Sequence, residues 1–152
     1  MSQVTVAIAD PRDPRATALL HRSHALMQSL FAEEDNHYLE VSELCAANIS
    51  FFVAKKDETY LGCVALANKG HYGEMKSMFV DPATRGLGIG AALMQQLETE
   101  ARAQGLVAIK LETGDTLHEA HRLYYRFGFS DCGPFGDYTA SPASVFMMKS
   151  LT

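Results

Sequence analysis

The sequence predicts a mixed α/β fold, a mostly antiparallel central sheet flanked by helices with one parallel strand–helix–strand step, in a single domain over residues 1–152. Three observations predict it. Residues 49–80 hold three β-rich runs joined by polar separators short enough for hairpins. A glycine-rich segment then enters a helical pattern over residues 88–104 that is followed by another strand pattern. Such a crossover places its two strands parallel and is right-handed. Finally, 152 residues, 47% hydrophobic and 20% charged, suffice for one compact core and leave no room for a second module.

Val4, Val6 and Ile8 alternate with smaller or polar residues before Asp10-Pro11, the pattern of a short opening strand ended by a turn. Residues 15–31 read as a helix with Leu19, Leu20, Leu26, Met27 and Leu30 as its apolar stripe, and residues 33–37 as the loop that follows. A second short helix is expected over residues 42–47. The runs 49–54, 60–67 and 74–80 are the three antiparallel strands. The helix over 88–104 sets Ile89, Ala92, Leu93 and Leu97 on one face, and Gly105 stops it. Val107, Ile109 and Leu111 alternate in the next strand. Thr116-Leu117-His118-Glu119 has the form of a capping box opening a helix at Thr116, which Gly128 ends. Two last strands are expected from Phe129 onward and over residues 144–149.

Thirteen Lys plus Arg against eighteen Asp plus Glu give a formal charge of −5. That excludes a general electrostatic pull toward nucleic acid or an anionic membrane. Cys45, Cys63 and Cys132 are widely separated and form no CxxC pair, so free thiols in a reducing cytoplasm are expected. No apolar run is long enough to span a membrane, and residues 1–15 lack the pattern of a secretory leader. His21/His24 and His118/His121 stand at helical i, i+3 spacing without a third ligand pattern, and no metal is expected.

Residues 78–90, Met-Phe-Val-Asp-Pro-Ala-Thr-Arg-Gly-Leu-Gly-Ile-Gly, run from a strand into a helix with one arginine and three alternating glycines at the junction. Glycines let main-chain N–H groups approach a ligand closely, and the helix start adds partial positive charge. Together they suit a phosphate or pyrophosphate. A P-loop would need Gly-Lys-Ser/Thr, and none follows Gly90. Gly86-x-Gly88-x-x-Ala91 matches the relaxed dinucleotide fingerprint, with Glu112 as the ribose-binding acid of an NAD(P)-dependent oxidoreductase. Loops of that kind turn directly after the strand, whereas residues 81–85 intervene here, and three antiparallel strands fit a doubly wound sheet poorly.

Arg85-x-x-Gly88-x-Gly90 after Val80-Asp81-Pro82 resembles the acyl-CoA-binding motif of the GCN5-related N-acetyltransferases. Ala120-x-x-Leu123-Tyr124-x-x-x-Gly128-Phe129 resembles a later motif of the same family, and the order of elements matches along the whole chain. Within that family it more closely resembles a bacterial subgroup with the segments Leu111-Glu112-Thr113-Gly114, Pro134-Phe135-Gly136-Asp137-Tyr138 and Ser144-Val145-Phe146-Met147. Acceptors of that subgroup are generally unassigned, although some members carry an indole-acetate-related label.

The resemblance implies an acetyl-CoA-dependent N-acetyltransferase acting on a small-molecule or peptide amine by direct attack in a ternary complex, as a monomer or a homodimer. A non-catalytic CoA-binding sensor is the non-enzymatic alternative. By resemblance, the amides of Arg85, Gly86, Leu87, Gly88, Ile89 and Gly90 cradle the CoA pyrophosphate. The strand end Met78-Phe79-Val80 pairs with the pantetheine arm, while the neighbouring parallel strand splays away to admit the thioester. Tyr124 falls on the family's catalytic tyrosine, near the CoA sulfur. Ordinary pKa values near 10 for tyrosine and 8.5 for a thiol make full proton transfer uphill by about 2 kcal/mol, so its expected role is a hydrogen bond to the developing thiolate. Tyr125 should face elsewhere. An alkylammonium of pKa about 10.4 must lose a proton before it attacks. Glu112 matches the position used as base in some members, and Glu74 is the second candidate. Leu117 stands where many relatives carry a cofactor-contacting asparagine. The acidic stretch Glu33, Glu34, Asp35, Glu40 and Glu43 suits a cationic amine, and residues 134–138 suit an acceptor-pocket wall; Glu34, His37, Phe135 and Tyr138 are the candidate acceptor contacts.

Overall fold

The computed structural model describes residues 3–152. Its sheet has seven strands in the order β1-β2-β3-β4-β5-β7-β6. Strands β1 (Val4–Ile8), β2 (Ile49–Lys56), β3 (Thr59–Asn68) and β4 (Tyr72–Val80) are successive antiparallel neighbours, the last three joined as the hairpin-length separators predict and β1 brought beside β2 across the intervening helical segment. Strand β5 (Ala108–Gly114) lies parallel to β4, β7 (Ser144–Ser150) pairs antiparallel with β5, and the short β6 (Ser130–Cys132) closes the far edge against β7.

Strand alternation divides the core between two faces. Helices α1 (Pro14–Leu30) and α2 (Val41–Leu44) cover one, where Leu19, Leu20 and Leu44 meet Phe51, Val53, Cys63 and Phe79. On the other, α3 (Ile89–Ala103) and α4 (His118–Arg126) bring Ile89, Leu93, Leu97 and Tyr124 onto Val64, Leu66, Ile109, Leu111 and Met147. Among the described residues no helix is long and apolar enough to cross a membrane.

Asp13 caps α1 by accepting the Arg15 amide at 2.9 Å, and Pro14 opens its first turn without losing a needed donor. The buried stripe is Ala16, Leu19, Leu20, Ser23 and His24. Leu26 and Leu30, expected inside, are 39% and 47% exposed. Leu26 lies off the stripe, and at the helix end Phe31 makes the inward contact in place of Leu30. Val107 is likewise corrected: it is 47% exposed in the turn before β5, whose inward positions are Ile109 and Leu111.

The Thr116 capping box does not form. Helix α4 begins at His118 with Leu117 as its uncapped N-cap residue. The chain turns tightly there, with the Leu117 amide on Gly114 O at 3.2 Å, so the Thr116 side chain sits outside the helix start. Glu119, the other half of the expected box, reaches Arg85 at 3.0 Å instead.

Two irregularities position the site. The β4–β5 ladder ends where Glu74 lies opposite Lys110, while β5 continues to Gly114 against β7. Beyond Glu74 the two parallel strands therefore part. On its other edge, β4 shifts register against β3 between the pairs Ala65–Lys76 and Cys63–Phe79, and Ser77 takes φ 58° there. An extra residue in one strand bends it and re-aims its side chains.

Candidate active site

The wedge between β4 and β5 is open. A cleft of about 110 Å³ occupies it, lined by Met75 to Met78 of β4, Glu112 to Gly114 of β5, Leu117 just before α4, Tyr124 of α4, and Ser23, Met27 and Phe31 at α1. It lies at the carboxyl ends of the parallel strands, where such sheets bind ligands. Asp35, Asn36, His37 and Tyr38 close its outer wall. His37, Tyr38 and Lys76 also border a wider groove of about 820 Å³ that runs to Glu74, Lys69, Asp137 and Tyr138.

Two candidate catalytic groups meet in the cleft. Tyr124 is buried, and burial together with the Glu112 charge raises its hydroxyl pKa. It is thus held as a neutral hydrogen-bond donor. Tyr125, by contrast, is 47% exposed and donates to Asp131 at 2.5 Å. Glu112 is half-buried, and burial raises its pKa despite an opposing hydrogen bond from Ser144 Oγ at 2.8 Å and the nearby His37 and Lys76. A carboxylate so raised is a stronger base than a solvated one.

Glu74 is built differently. Its carboxylate is buried, accepts from Tyr138 Oη at 2.5 Å, and lies 3.4 Å from Lys76 Nζ and 3.9 Å from Lys69 Nζ. It faces the outer groove and not the cleft. Lys76 Nζ also donates to His37 O at 2.7 Å and Tyr138 Oη at 2.9 Å. One ammonium therefore ties together the segment after α1, strand β4 and the segment before β7. The His37 and Tyr138 rings add an edge contact at 5.2 Å. Phe135 sits behind this wall, packed on Tyr72, Tyr138 and Phe146, with Lys110 Nζ 5.7 Å from its ring centre. Glu34 is exposed and lines neither cavity; its neighbour Asp35 lines the cleft and accepts from Ser141 Oγ at 3.2 Å.

The glycine loop leaves β4 through Asp81, which accepts the Ala83 amide at 2.9 Å and pairs with Arg22 of α1 at 3.2 Å. Those hydrogen bonds, Arg22 first, hold the Asp81 pKa below its ordinary value. Gly86 and Gly88 have φ of 85° and 74°, and the space where side chains would stand is open. Among the described residues no side chain caps α3 at Gly88. The first amides of the helix are therefore free donors beside a positive dipole end, and this arrangement fits the pyrophosphate of a CoA thioester. Gly90 serves packing: a Cβ there would stand 2.9 Å from Leu123 Cδ2 of α4. Ile89 is buried in the core, Leu87 is 50% exposed, and Arg85 is free on the surface apart from Glu119. Of the strand end, Met78 lines the cleft, whereas Phe79 packs under α1 and Val80 pairs with Gly62. Among the described residues no group of three or more His, Cys, Asp or Glu is placed to hold a metal ion.

Phe31, Lys76 and Ser77 escaped the sequence reading, while Asp35 and Ser144 entered it only within the acidic stretch and the segment 144–147. Only Lys76-Ser77 left a signal, a polar pair between Met75 and Met78 in an otherwise apolar strand end.

A sheet that splays at its one parallel pair, above an uncapped helix entered through a glycine loop, defines an acyl-CoA N-acyltransferase fold. The chain superposes with a TM-score of 0.82 and 29% identity, over 98% of both chains, on a Klebsiella pneumoniae structure described as an acyl-CoA N-acyltransferase. Its fold is shared, at TM-score 0.74 and 15% identity over 97% of this chain and 99% of the other, by the PaiA N-acetyltransferase of Thermoplasma acidophilum, solved with coenzyme A. The acetyltransferase (GNAT) family model matches residues 16–129, and the chain belongs to that family. It is also 42% identical to the IAA acetyltransferase of Azospirillum brasilense, over 99% of this chain and all of the relative. The protein is an enzyme that transfers an acetyl group from acetyl-CoA to an amine.

Proposed function

We propose that Glu112 and Tyr124 carry this reaction and that the acceptor reaches them along the Lys76–Tyr138 groove. The carrying observation is that a raised-pKa carboxylate and a buried neutral phenol line the same cleft in the β4–β5 wedge. When bound, acetyl-CoA supplies an acyl group activated as a thioester. Glu112 takes a proton from the acceptor ammonium, the lone pair so freed forms the N–C bond, and the second nitrogen proton passes to the released thiolate or to solvent. Tyr124 donates a hydrogen bond to the sulfur as the C–S bond breaks and the electron pair leaves with it. Residues 85–90 hold the pyrophosphate through main-chain amides, with Arg85 adding a charge. Glu74 accepts a hydrogen bond from Tyr138, pairs with two lysines and faces the outer groove, so it organises the acceptor wall and does not act as the base.

Carboxylates exceed lysines along the two cavities, with Asp35, Glu43, Glu74, Glu112 and Asp137 against Lys69 and Lys76, which favours a cationic amine as acceptor. The three cysteines are free, which supports a reducing, cytoplasmic setting. The test is thiol release from acetyl-CoA with a panel of amines, amino acids and peptides, alongside thermal shifts with CoA and NAD(P). Acetyl-CoA should raise the Tm and at least one amine should release CoA. A shift with NAD(P) alone would overturn the assignment, and CoA binding without turnover on any amine would indicate a sensor.

A further inference from the structure

We propose that Lys69 and the Tyr72 hydroxyl bind a carboxylate at the far end of the acceptor, so that the preferred acceptor is an ω-amino acid or a short peptide. This rests on the acetyltransferase reading and names the acceptor class for it. The charged groups of the outer groove differ in what already holds them. Glu43 closes the start of α2 by accepting the Glu40 amide at 2.9 Å. Lys76 Nζ has three protons and three acceptors, His37 O, Tyr138 Oη and the Glu74 carboxylate. Lys69 Nζ stands 3.9 Å from Glu74 Oε1, beyond hydrogen-bond distance, and its side chain is 43% exposed in the groove. Its donors are therefore open to a ligand.

Tyr72 adds a second donor at the same end of the groove. The Lys69 amide donates to Tyr72 O at 2.9 Å, which sets the two residues side by side at the turn between β3 and β4. Among the described residues the Tyr72 hydroxyl has no hydrogen-bond partner, and it is not sealed from solvent. Lys110 Nζ lies 4.6 Å from the centre of the Tyr72 ring and brings another positive charge beneath it. The opposing charge of the groove is Asp137, exposed on the segment before β7. Register fixes the length of the acceptor. Glu74 lies opposite Lys110, Glu112 is two positions further along β5, and Lys69 precedes β4. Glu112 and Lys69 thus lie on opposite sides of Glu74 along the strands, a span on the order of 10 Å at the rise of a strand. One α-carbon between nitrogen and carboxylate is too short to bridge it, whereas a six-carbon ω-amino acid or a dipeptide is long enough.

Inert CoA conjugates test this without turnover. The acceptor nitrogen is joined through an acetyl bridge to the CoA sulfur, and its chain ends either in a carboxylate or in a methyl group. The wild-type protein should bind the six-carbon acid about 3- to 10-fold more tightly than its methyl counterpart, the worth of one net hydrogen bond. At two carbons the preference should vanish. A glycylglycine conjugate compared with its C-terminal amide distinguishes a peptide acceptor from an ω-amino acid, and absence of both preferences overturns the proposal. Lys69→Gln should remove the preference, Tyr72→Phe should reduce it and Lys69→Arg should keep it, with free CoA binding confirming that each variant is folded. Added salt should shrink it. A preference that survives Lys69→Gln, or that is as large at two carbons, overturns the proposal. So does tighter binding of a conjugate ending in an ammonium that is lost in Asp137→Asn, which would assign the groove to a diamine. Failure of the wild-type protein to bind free CoA would instead overturn the acetyltransferase reading itself.

Discussion

The Phe31 ring fills the space beside Gly114: a Cβ on that glycine would stand 2.1 Å from Phe31 Cζ and 2.7 Å from Cε2. The two residues come from the end of α1 and the end of β5, and both line the reaction cleft. Their contact sets how closely the α1 face approaches the wedge, and it exists because one partner has no side chain. Gly114→Ala should therefore be destabilising by about 1–3 kcal/mol through overpacking. Adding Phe31→Leu should recover most of that loss, giving a non-additive double-mutant cycle in urea denaturation. Additive effects would show that the ring relaxes freely and does not set the cleft.

Tyr124 is held neutral by burial and by the charge of Glu112, both of which raise its pKa. Removing its hydroxyl leaves the ring packing intact, so Tyr124→Phe should fold normally and bind CoA with unchanged affinity. Under conditions where chemistry is limiting, kcat should fall by about 10- to 100-fold, the worth of a hydrogen bond to a charged acceptor. Unchanged turnover there removes Tyr124 from the mechanism.

Glu112 must be ionised to accept a proton, so kcat/KM should fall as pH drops through its raised pKa. The hydrogen bond from Ser144 opposes that raise by stabilising the carboxylate. Ser144→Ala removes it, leaves burial in place, and should move the acid limb of the pH profile to higher pH. Glu112→Gln should abolish the limb along with most of the activity. An acid limb that ignores both substitutions would assign the base elsewhere.

The sheet was legible in the sequence because its signals are local: alternation, hairpin-length separators and a glycine loop leading into a helix. Tyr124 and Glu112 were legible through the motif resemblance and do line one cleft. The start of α4 was misread because Thr116 and Glu119 fit a capping box by spacing, while the tight turn at Gly114 takes Thr116 out of the helix start and Glu119 pairs with Arg85. Ser77 and the Phe31–Gly114 contact were invisible for a related reason. A bulge is a property of register between two strands, and the contact joins elements far apart in the chain.

Tyr138 donates to the buried Glu74 carboxylate and accepts from Lys76, so its hydroxyl links the acceptor wall. Tyr138→Phe should raise the acceptor KM more than the CoA Kd, and lose about 1–3 kcal/mol of stability because a buried carboxylate loses a donor. A weakened CoA affinity with unchanged acceptor KM would place the wall on the cofactor side.

Arg85 and Glu119 pair at 3.0 Å with side chains 72% and 63% exposed, directly beside the phosphate-binding loop. A surface pair of this kind contributes little to folding, so neither Arg85→Ala nor Glu119→Gln should move the Tm appreciably. Their effects on CoA should be opposite in sign. Arg85→Ala removes a cation that strengthens phosphate binding and should weaken CoA about 10-fold at low salt, an effect that shrinks as salt is added. Glu119→Gln removes the anion that competes with phosphate for the same guanidinium and should tighten CoA by up to about 3-fold. Isothermal titration at two salt concentrations reads both. If Glu119→Gln weakens CoA as Arg85→Ala does, the pair acts as a unit that shapes the loop, and the guanidinium does not exchange its carboxylate for phosphate.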